Sequence, residues 1–205
     1  MKTDDIIVLD DIIPKNYQNE IENMMTMPVF NWHFNKKISI GEHQDLPKIL
    51  ENDSNVKESS AFVHRFFIDP EVSTNKQLVK SDYCDFIRPI FHLVEDKTNI
   101  KINKVLRVRG VLATKDITFK EKYNVPHIDS LTNHTVLIYY VNDNDGGTIL
   151  FKEKFSDNIS FTSKKTLNKI IPAKKGRILI FNGLTYHTGV VPTDNHKILI
   201  NVNFN

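Results

Sequence analysis

The run Val125-Pro126-His127-Ile128-Asp129 sets an imidazole and a carboxylate two residues apart. Side chains at i and i+2 project to the same side of an extended strand, so both can reach one ion. Further along, Leu184-Thr185-Tyr186-His187-Thr188-Gly189 offers a second imidazole, brought back across the sheet by a later strand. Two neutral imidazoles and one carboxylate on one face leave three coordination positions open, the arrangement of non-haem Fe(II) oxygenases. A zinc hydrolase can use the same donors, and a bare His-X-Asp is a common tripeptide, so the surroundings must decide between them. His33, His43, His64, His92, His134 and His196 sit in no comparable setting and read as surface or hydrogen-bonded structural residues, with His134 the one that could lie near the pocket.

Positioning these donors requires strands, and the second half of the chain supplies them. Leu106, Val108 and Leu112 alternate with Arg107 and Arg109, and strand patterns recur at Thr135 to Val141, Thr148 to Phe151, Arg177 to Phe181 and Lys197 to Phe204. Asn142 to Gly147, Lys174-Lys175-Gly176 and Asn182-Gly183 separate them with residues that tolerate turns. The first half differs. Ile6 to Leu9 reads as a short strand, and Asp10 or Asp11 ahead of Pro14 reads as a helix start, with Tyr17, Ile21 and Met24 forming one apolar face of a helix from Pro14 to Met25. Met27 to Ser60 reads as loops with short ordered pieces. Asn75 to Asp96 reads as a second helix with an apolar stripe of Leu78, Phe86, Ile87, Ile90, Phe91 and Val94, kinked or split at Pro89.

Bulk properties narrow the classes. A length of 205 residues suits one domain. A net charge of +2 is too small for a protein that coats nucleic acid or a membrane surface, so neither partner is expected. A single cysteine, Cys84, excludes an intrachain disulfide framework and a cysteine-based zinc site, which leaves His and carboxylate for any metal. The apolar run at the N-terminus is too short for a signal-peptide core, and no stretch is long enough to span a bilayer, so a soluble cytoplasmic protein is expected.

His127 to Phe204 resembles the catalytic half of the 2-oxoglutarate/Fe(II) dioxygenases, in particular the prolyl 4-hydroxylase branch. The resemblance is carried by an ordered set: the His-X-Asp pair, Ile138-Tyr139-Tyr140-Val141-Asn142, Gly146-Gly147-Thr148-Ile149-Leu150-Phe151, Lys175-Gly176-Arg177-Ile178-Leu179-Ile180-Phe181, the distal His187 and then Lys197. The first hundred residues share only a helix-then-strand order. The resemblance implies a mainly β fold, a double-stranded β-helix of the jelly-roll or cupin-like kind with N-terminal supporting helices. It further implies one dioxygenase domain over 1–205, with 1–100 as support and 101–205 as the catalytic core.

It also implies roles. His127, Asp129 and His187 would hold Fe(II), with 2-oxoglutarate and O2 as co-substrates, and decarboxylation to succinate and CO2 would be coupled to hydroxylation of a C–H bond. Lys197, ten residues past His187, matches the lysine that pairs with the far carboxylate of 2-oxoglutarate, and a strand lysine facing a barrel interior would otherwise be expensive to bury. Tyr140 matches the tyrosine that bonds the same carboxylate, while Tyr139 points the other way. Asn201 shares the face of Lys197 and could contact the co-substrate or simply form a polar wall. An inward Arg107 and Arg109 pair could bind a substrate carboxylate, although a solvated sheet face is the ordinary expectation for alternating arginines. Tyr123 is a counterpart, at an unfixed offset, of the tyrosine preceding His-X-Asp in prolyl hydroxylases. Asp129 speaks against the halogenating relatives, which carry a small residue there, and the arginines of the nucleic-acid demethylating branch are missing. The substrate reads as a peptide, protein or small molecule, with peptidyl proline favoured and with Met27 to Ser60 or Asp116 to Asn124 as walls of a groove. The rival readings are a cupin-like metal enzyme that does not use 2-oxoglutarate and a jelly-roll binding module without catalysis.

Overall fold

The computed structural model describes residues 5–38, 58–155 and 163–205. Along these the order is β1 (Ile7–Leu9), α1 (Lys15–Thr26), β2 (His33–Asn35), β3 (Ala61–Ile68), β4 (Val79–Lys80), α2 (Cys84–Ile87), α3 (Pro89–Thr98), β5 (Val105–Ala113), β6 (Thr135–Tyr140), β7 (Gly147–Lys154), β8 (Leu167–Pro172), β9 (Ile178–Asn182), β10 (Thr185–Val190) and β11 (Lys197–Phe204). The larger sheet runs β1-β9-β6-β11-β5-β3-β2, with β4 paired on β3, and the smaller runs β10-β7-β8. Every pairing is antiparallel.

The alternation of β11 explains the layering. Ile198, Ile200, Val202 and Phe204 join Leu137, Tyr139, Ile178 and Ile180 on the outer face of the larger sheet, where Ile21, Met24 and Met25 of α1 and Ile90, Phe91 and Val94 of α3 cover them. Leu199 points inward with Val136, Ile138, Tyr140, Leu179 and Phe181, and meets Leu150 and Ile171 of the smaller sheet. Two antiparallel sheets closed over a shared interior make a jelly roll with helices on its outside, as the sequence implied. Among the described residues no helix is long and apolar enough to cross a membrane.

α1 begins one residue after Pro14, whose fixed φ suits a helix start. Its docking is specific. Gln18 donates to the Ile13 carbonyl at 2.7 Å and lies against Gly176, where φ is +79° and an added Cβ would meet the Gln18 amide at 2.5 Å. Asp10 does not cap the helix. It pairs with Arg177 at 2.8 and 2.9 Å, and that hydrogen-bonded guanidinium holds its carboxyl down at about 2.

One expectation changes, and two stretches gain detail. The stretch expected as a helix over Asn75 to Asp96 is split at Pro89 as expected, into α2 and α3, but its first third is turns and β4. Leu78 and Phe86 accordingly lie exposed rather than in an apolar stripe. The segment after Ser60 contributes an eight-residue strand, β3, that hydrogen-bonds to β5. Within Met27 to Ser60, β2 is a short edge strand, while residues 39–57, including His43, lie outside the described residues.

Candidate metal centre

The donors are gathered by backbone pairing. The segment before β6 runs beside β10, with Tyr123 bridged to Val190 and His127 bridged to His187. The two histidines exchange N–H to carbonyl hydrogen bonds, each 2.9 Å long. Asp129 follows His127 by two residues, so its carboxylate turns to the same side. The ligating atoms of His127, Asp129 and His187 all lie within 4.8 Å of one another, and each imidazole Nε2 stands 4.0 Å from an Asp129 oxygen. Two bonds of about 2.1 Å span at most about 4.2 Å. One ion can therefore reach both imidazole–carboxylate pairs, and a small rotation of a side chain closes the widest separation.

The protonation states suit a cation. His127 Nδ1 faces the Val125 carbonyl at 3.0 Å and His187 Nδ1 faces the Thr185 carbonyl at 3.1 Å. A carbonyl can only accept, so the proton sits on Nδ1 and the Nε2 lone pair of each ring is presented to the site. Burial disfavours the imidazolium in both cases. It pushes His127 down to about 3, helped by the neighbouring His187, and pushes His187 down against the pull of Asp129. The Phe181 ring meets His187 edge to face at 4.9 Å and fixes its plane.

Asp129 is buried and heavily bonded. Arg107 Nη2 lies 3.1 Å from Oδ1, and Asn201 Nδ2 donates to Oδ2 at 3.0 Å. With its amide nitrogen turned toward the carboxylate, Asn203 donates to Oδ2 at 3.0 Å and to Asn201 Oδ1 at 3.0 Å, and its oxygen accepts from Arg107 Nη2 at 3.2 Å. The expectation of a solvated face for Arg107 and Arg109 is overturned: they are 7% and 5% exposed, because the smaller sheet closes over that side of β5. Asn203 and Arg107 face each other in the β11–β5 register, as do Asn201 and Arg109. Sequence reasoning passed over Asn203; its signal was the i, i+2 spacing from Asn201 on the face already assigned to the interior.

Lys197 is 2% exposed, and its ammonium lies 2.5 Å from the Val190 carbonyl, against the strand that carries His187. Among the described residues no carboxylate stands within 4.0 Å of it, and desolvation lowers its pKa to about 8 despite the distant Asp145. Gly189 leaves room for it, since an added Cβ there would lie 3.1 Å from Nζ. Thr148 is paired with Gly189 across β7 and β10, and the Tyr140 hydroxyl donates to Thr148 Oγ1 at 2.7 Å. Lys197, Thr148 and Tyr140 thus converge on one glycine. Burial raises the Tyr140 phenol well above its ordinary value, so it remains a neutral donor. Tyr139 packs in the outer core, as expected.

Of the other histidines, His33, His64 and His92 lie apart from the centre and His134 lies beside it. His64 bonds the Asn31 carbonyl at 2.8 Å and Ser81 Oγ at 2.9 Å, a structural histidine. His33 and His92 are exposed. His134 is buried near Asp129, close enough for the carboxylate to raise its pKa against the dominant effect of burial. Tyr123 is 42% exposed, its ring tilted against Phe151 with centroids 6.3 Å apart.

No family model matches this sequence, and no curated protein matches it. Solved structures do. An oxidoreductase of the 2OG-Fe(II) oxygenase family from Burkholderia pseudomallei superposes with a TM-score of 0.63 at 10% identity, covering 98% of this chain and 84% of that one. The fold is that of the 2OG-Fe(II) oxygenases. The non-heme alpha ketoglutarate dependent epimerase SnoN gives 0.62 at 10% identity over 99% and 79% of the two chains. A prolyl hydroxylase from Trichoplax adhaerens, in complex with a peptide fragment of the hypoxia inducible factor oxygen degradation domain, gives 0.56 at 12% identity over 98% and 84%. Identities this low carry the architecture and leave the chemistry to the residues.

Proposed function

We propose that this chain is an Fe(II)- and 2-oxoglutarate-dependent hydroxylase whose substrate is a prolyl residue in a peptide. The observation that carries the reading is a pairing within one interior: a two-His, one-carboxylate donor set, and a buried ammonium whose partner among the described residues is a carbonyl, packed within three residues of His187. The donor set fits a borderline metal that keeps open positions, and the ammonium fits a dianionic co-substrate. A generic cupin metal enzyme would have no use for Lys197.

His127, Asp129 and His187 would hold the iron, which would supply dioxygen activation coupled to oxidative decarboxylation of 2-oxoglutarate. The protein's own part is binding and orientation. His127 and His187 offer neutral Nε2 lone pairs without first losing a proton. Lys197 exchanges its carbonyl contact for the far carboxylate of 2-oxoglutarate, and the Tyr140–Thr148 hydroxyl pair rotates a donor toward the same group. Ile128, Leu150 and Phe181, all buried, keep bulk water from the walls. For the substrate, Ile117 and Tyr123 stand exposed on the 116–124 segment, whose end is bridged to β10; they offer apolar surface to a prolyl ring. The peptide-bound prolyl hydroxylase of like fold supports the same choice.

The test is incubation of iron-loaded protein with 2-oxoglutarate and a library of proline-containing peptides, alongside free proline and other amino acids. A 16-dalton gain on peptides with matching succinate release is expected, and Asp129→Ala should give neither while keeping the wild-type circular dichroism spectrum. Oxidation confined to free amino acids would overturn the peptidyl assignment, and metal-dependent turnover indifferent to 2-oxoglutarate would overturn the co-substrate.

A further inference from the structure

We infer that Thr188 and Asn124 are positioning residues: they hold a bulge just before His127 and through it set the orientation of that imidazole. The inference rests on the metal centre proposed above for the role of His127, and on backbone pairing for its geometry.

Tyr123 is bridged to Val190 and His127 to His187, so three residues, Asn124, Val125 and Pro126, stand against two, Thr188 and Gly189. One side of the ladder carries an extra residue. Such a bulge bends its strand, re-aims the side chains beside it and interrupts the ladder bonds. Pro126 widens the interruption because it has no N–H to donate. Side chains mend it. Thr188 Oγ1 donates to the Asn124 carbonyl at 2.6 Å, and the Asn124 N–H donates to the Gly189 carbonyl at 3.3 Å. Asn124 Oδ1 in turn accepts from the Ser59 N–H at 2.7 Å and from the Ser59 hydroxyl at 3.0 Å, which ties the bulge to the residues entering β3. Thr188, Asn124 and Ser59 are all buried, so a bond lost there leaves an enclosed polar group unpaired.

The bulge reaches His127 through its middle residue. The Val125 carbonyl accepts from His127 Nδ1 at 3.0 Å, and that bond selects the tautomer whose bare Nε2 faces the site. His187 is held differently. Its strand is paired along β7 and the Phe181 ring meets it edge to face, so its orientation does not depend on the bulge. Thr188 therefore follows one histidine in the chain and sets the other.

The test is histidine nitrogen NMR on metal-free protein at neutral pH, with the His127 signals assigned by their loss in His127→Gln. In the wild type His127 should show a protonated Nδ1 and a bare Nε2. Thr188→Val keeps the shape and removes the hydroxyl, so it should mix the two tautomers at His127 and leave His187 as it was. Thr188→Ser restores the donor and should restore the wild-type pattern. Mn(II) alone, titrated into the same proteins, should bind about 10-fold more weakly to Thr188→Val and within about twofold of the wild type to Thr188→Ser. Should Thr188→Val fail to fold, Ser59→Ala, which removes one of the two bonds to Asn124 Oδ1, is read in the same way with a smaller change expected. A merely structural role would move thermal stability and leave the His127 tautomer alone. An unchanged His127 pattern in a folded variant overturns the inference and leaves the metal centre standing, and so does an equal change at both histidines. A wild type that takes up no Mn(II) overturns the metal centre proposed above, whereas the nitrogen signals separately decide whether the bulge sets His127.

Discussion

β11 has two faces, and they do opposite things. Ile198, Ile200, Val202 and Phe204 enter an apolar layer beneath α1 and α3, whereas Lys197, Asn201 and Asn203 enter an interior lined by Arg107, Arg109, Asp129 and two histidines. All eight residues are buried. The outer face lowers the free energy of the folded state through area removed from water, while the inner face holds buried polar groups that cost stability unless paired. The fold tolerates the second because the first supports it from one residue away.

The comparison can be broken first from the apolar side. Ile200 is 1% exposed, opposite Gly110, where even an added Cβ would meet Met25 at 2.9 Å. Ile200→Ala should destabilise the protein by about 2–5 kcal/mol in urea unfolding. Metal and 2-oxoglutarate affinities should stay within about twofold, since distant sites behave independently. A large loss of affinity at full folding would show that the faces are coupled.

Lys197 tests the polar side. Lys197→Ala should weaken 2-oxoglutarate binding by calorimetry by about 30- to 1,000-fold, or on the order of 2–4 kcal/mol, with Lys197→Arg milder. In the ligand-free protein the sign reverses. The lysine's folded pKa of about 8 lies below its ordinary 10.5, so at neutral pH the buried charge opposes folding, and that cost fades as pH rises through this window. Lys197→Met should therefore raise ligand-free stability by about 1–3 kcal/mol at pH 7 while destroying co-substrate binding. A variant that loses both would mark Lys197 as a structural residue.

The smallest effect is acid sensitivity. His127 is held at about 3 against 6.5, and His187 is lowered as well. The unfolded chain therefore binds more protons below pH 6.5, and the metal-free protein should lose stability as pH falls from there toward 3, with no such slope above it. Between pH 6.5 and 5 the share of His127 in that loss should be on the order of 1–2 kcal/mol. Because His64 and His134 are also depressed, the informative measurement is the difference from His127→Gln, which should show a shallower slope. An identical slope would mean that His127 is charged in the folded state.

What was legible in the sequence follows from these same forces. β6, β9 and β11 showed themselves because each keeps strict alternation or a continuous apolar run. β3 did not, because a register shift between Arg65 and Phe67 breaks the alternation, with Ala61 and Val63 inside but the consecutive Phe66 and Phe67 both packed on the outer side. β8 was hidden by exposure: it is an edge strand with one buried residue. The helix over 75–96 was overextended because Leu78 kept the apolar spacing while the chain there pairs with β3. The ligands were readable from type and spacing. The bonds around Asp129 were not, since nothing local distinguishes an arginine on a solvated strand from one whose partner arrives from β11.

The reciprocal backbone bonds between His127 and His187 carry a further consequence. They clasp two points separated by roughly sixty residues of chain, so the entropy of closing that loop is spent in folding rather than in metal uptake. The ion then arrives at a cradle already made, unlike a zinc finger, whose chain collapses around its metal. On the proposed reading, iron lost to oxidation or to a chelator would be replaced without a round of refolding. In the proposed hydroxylase the metal would be an exchangeable part, and iron supply would set the working fraction of the protein rather than its survival.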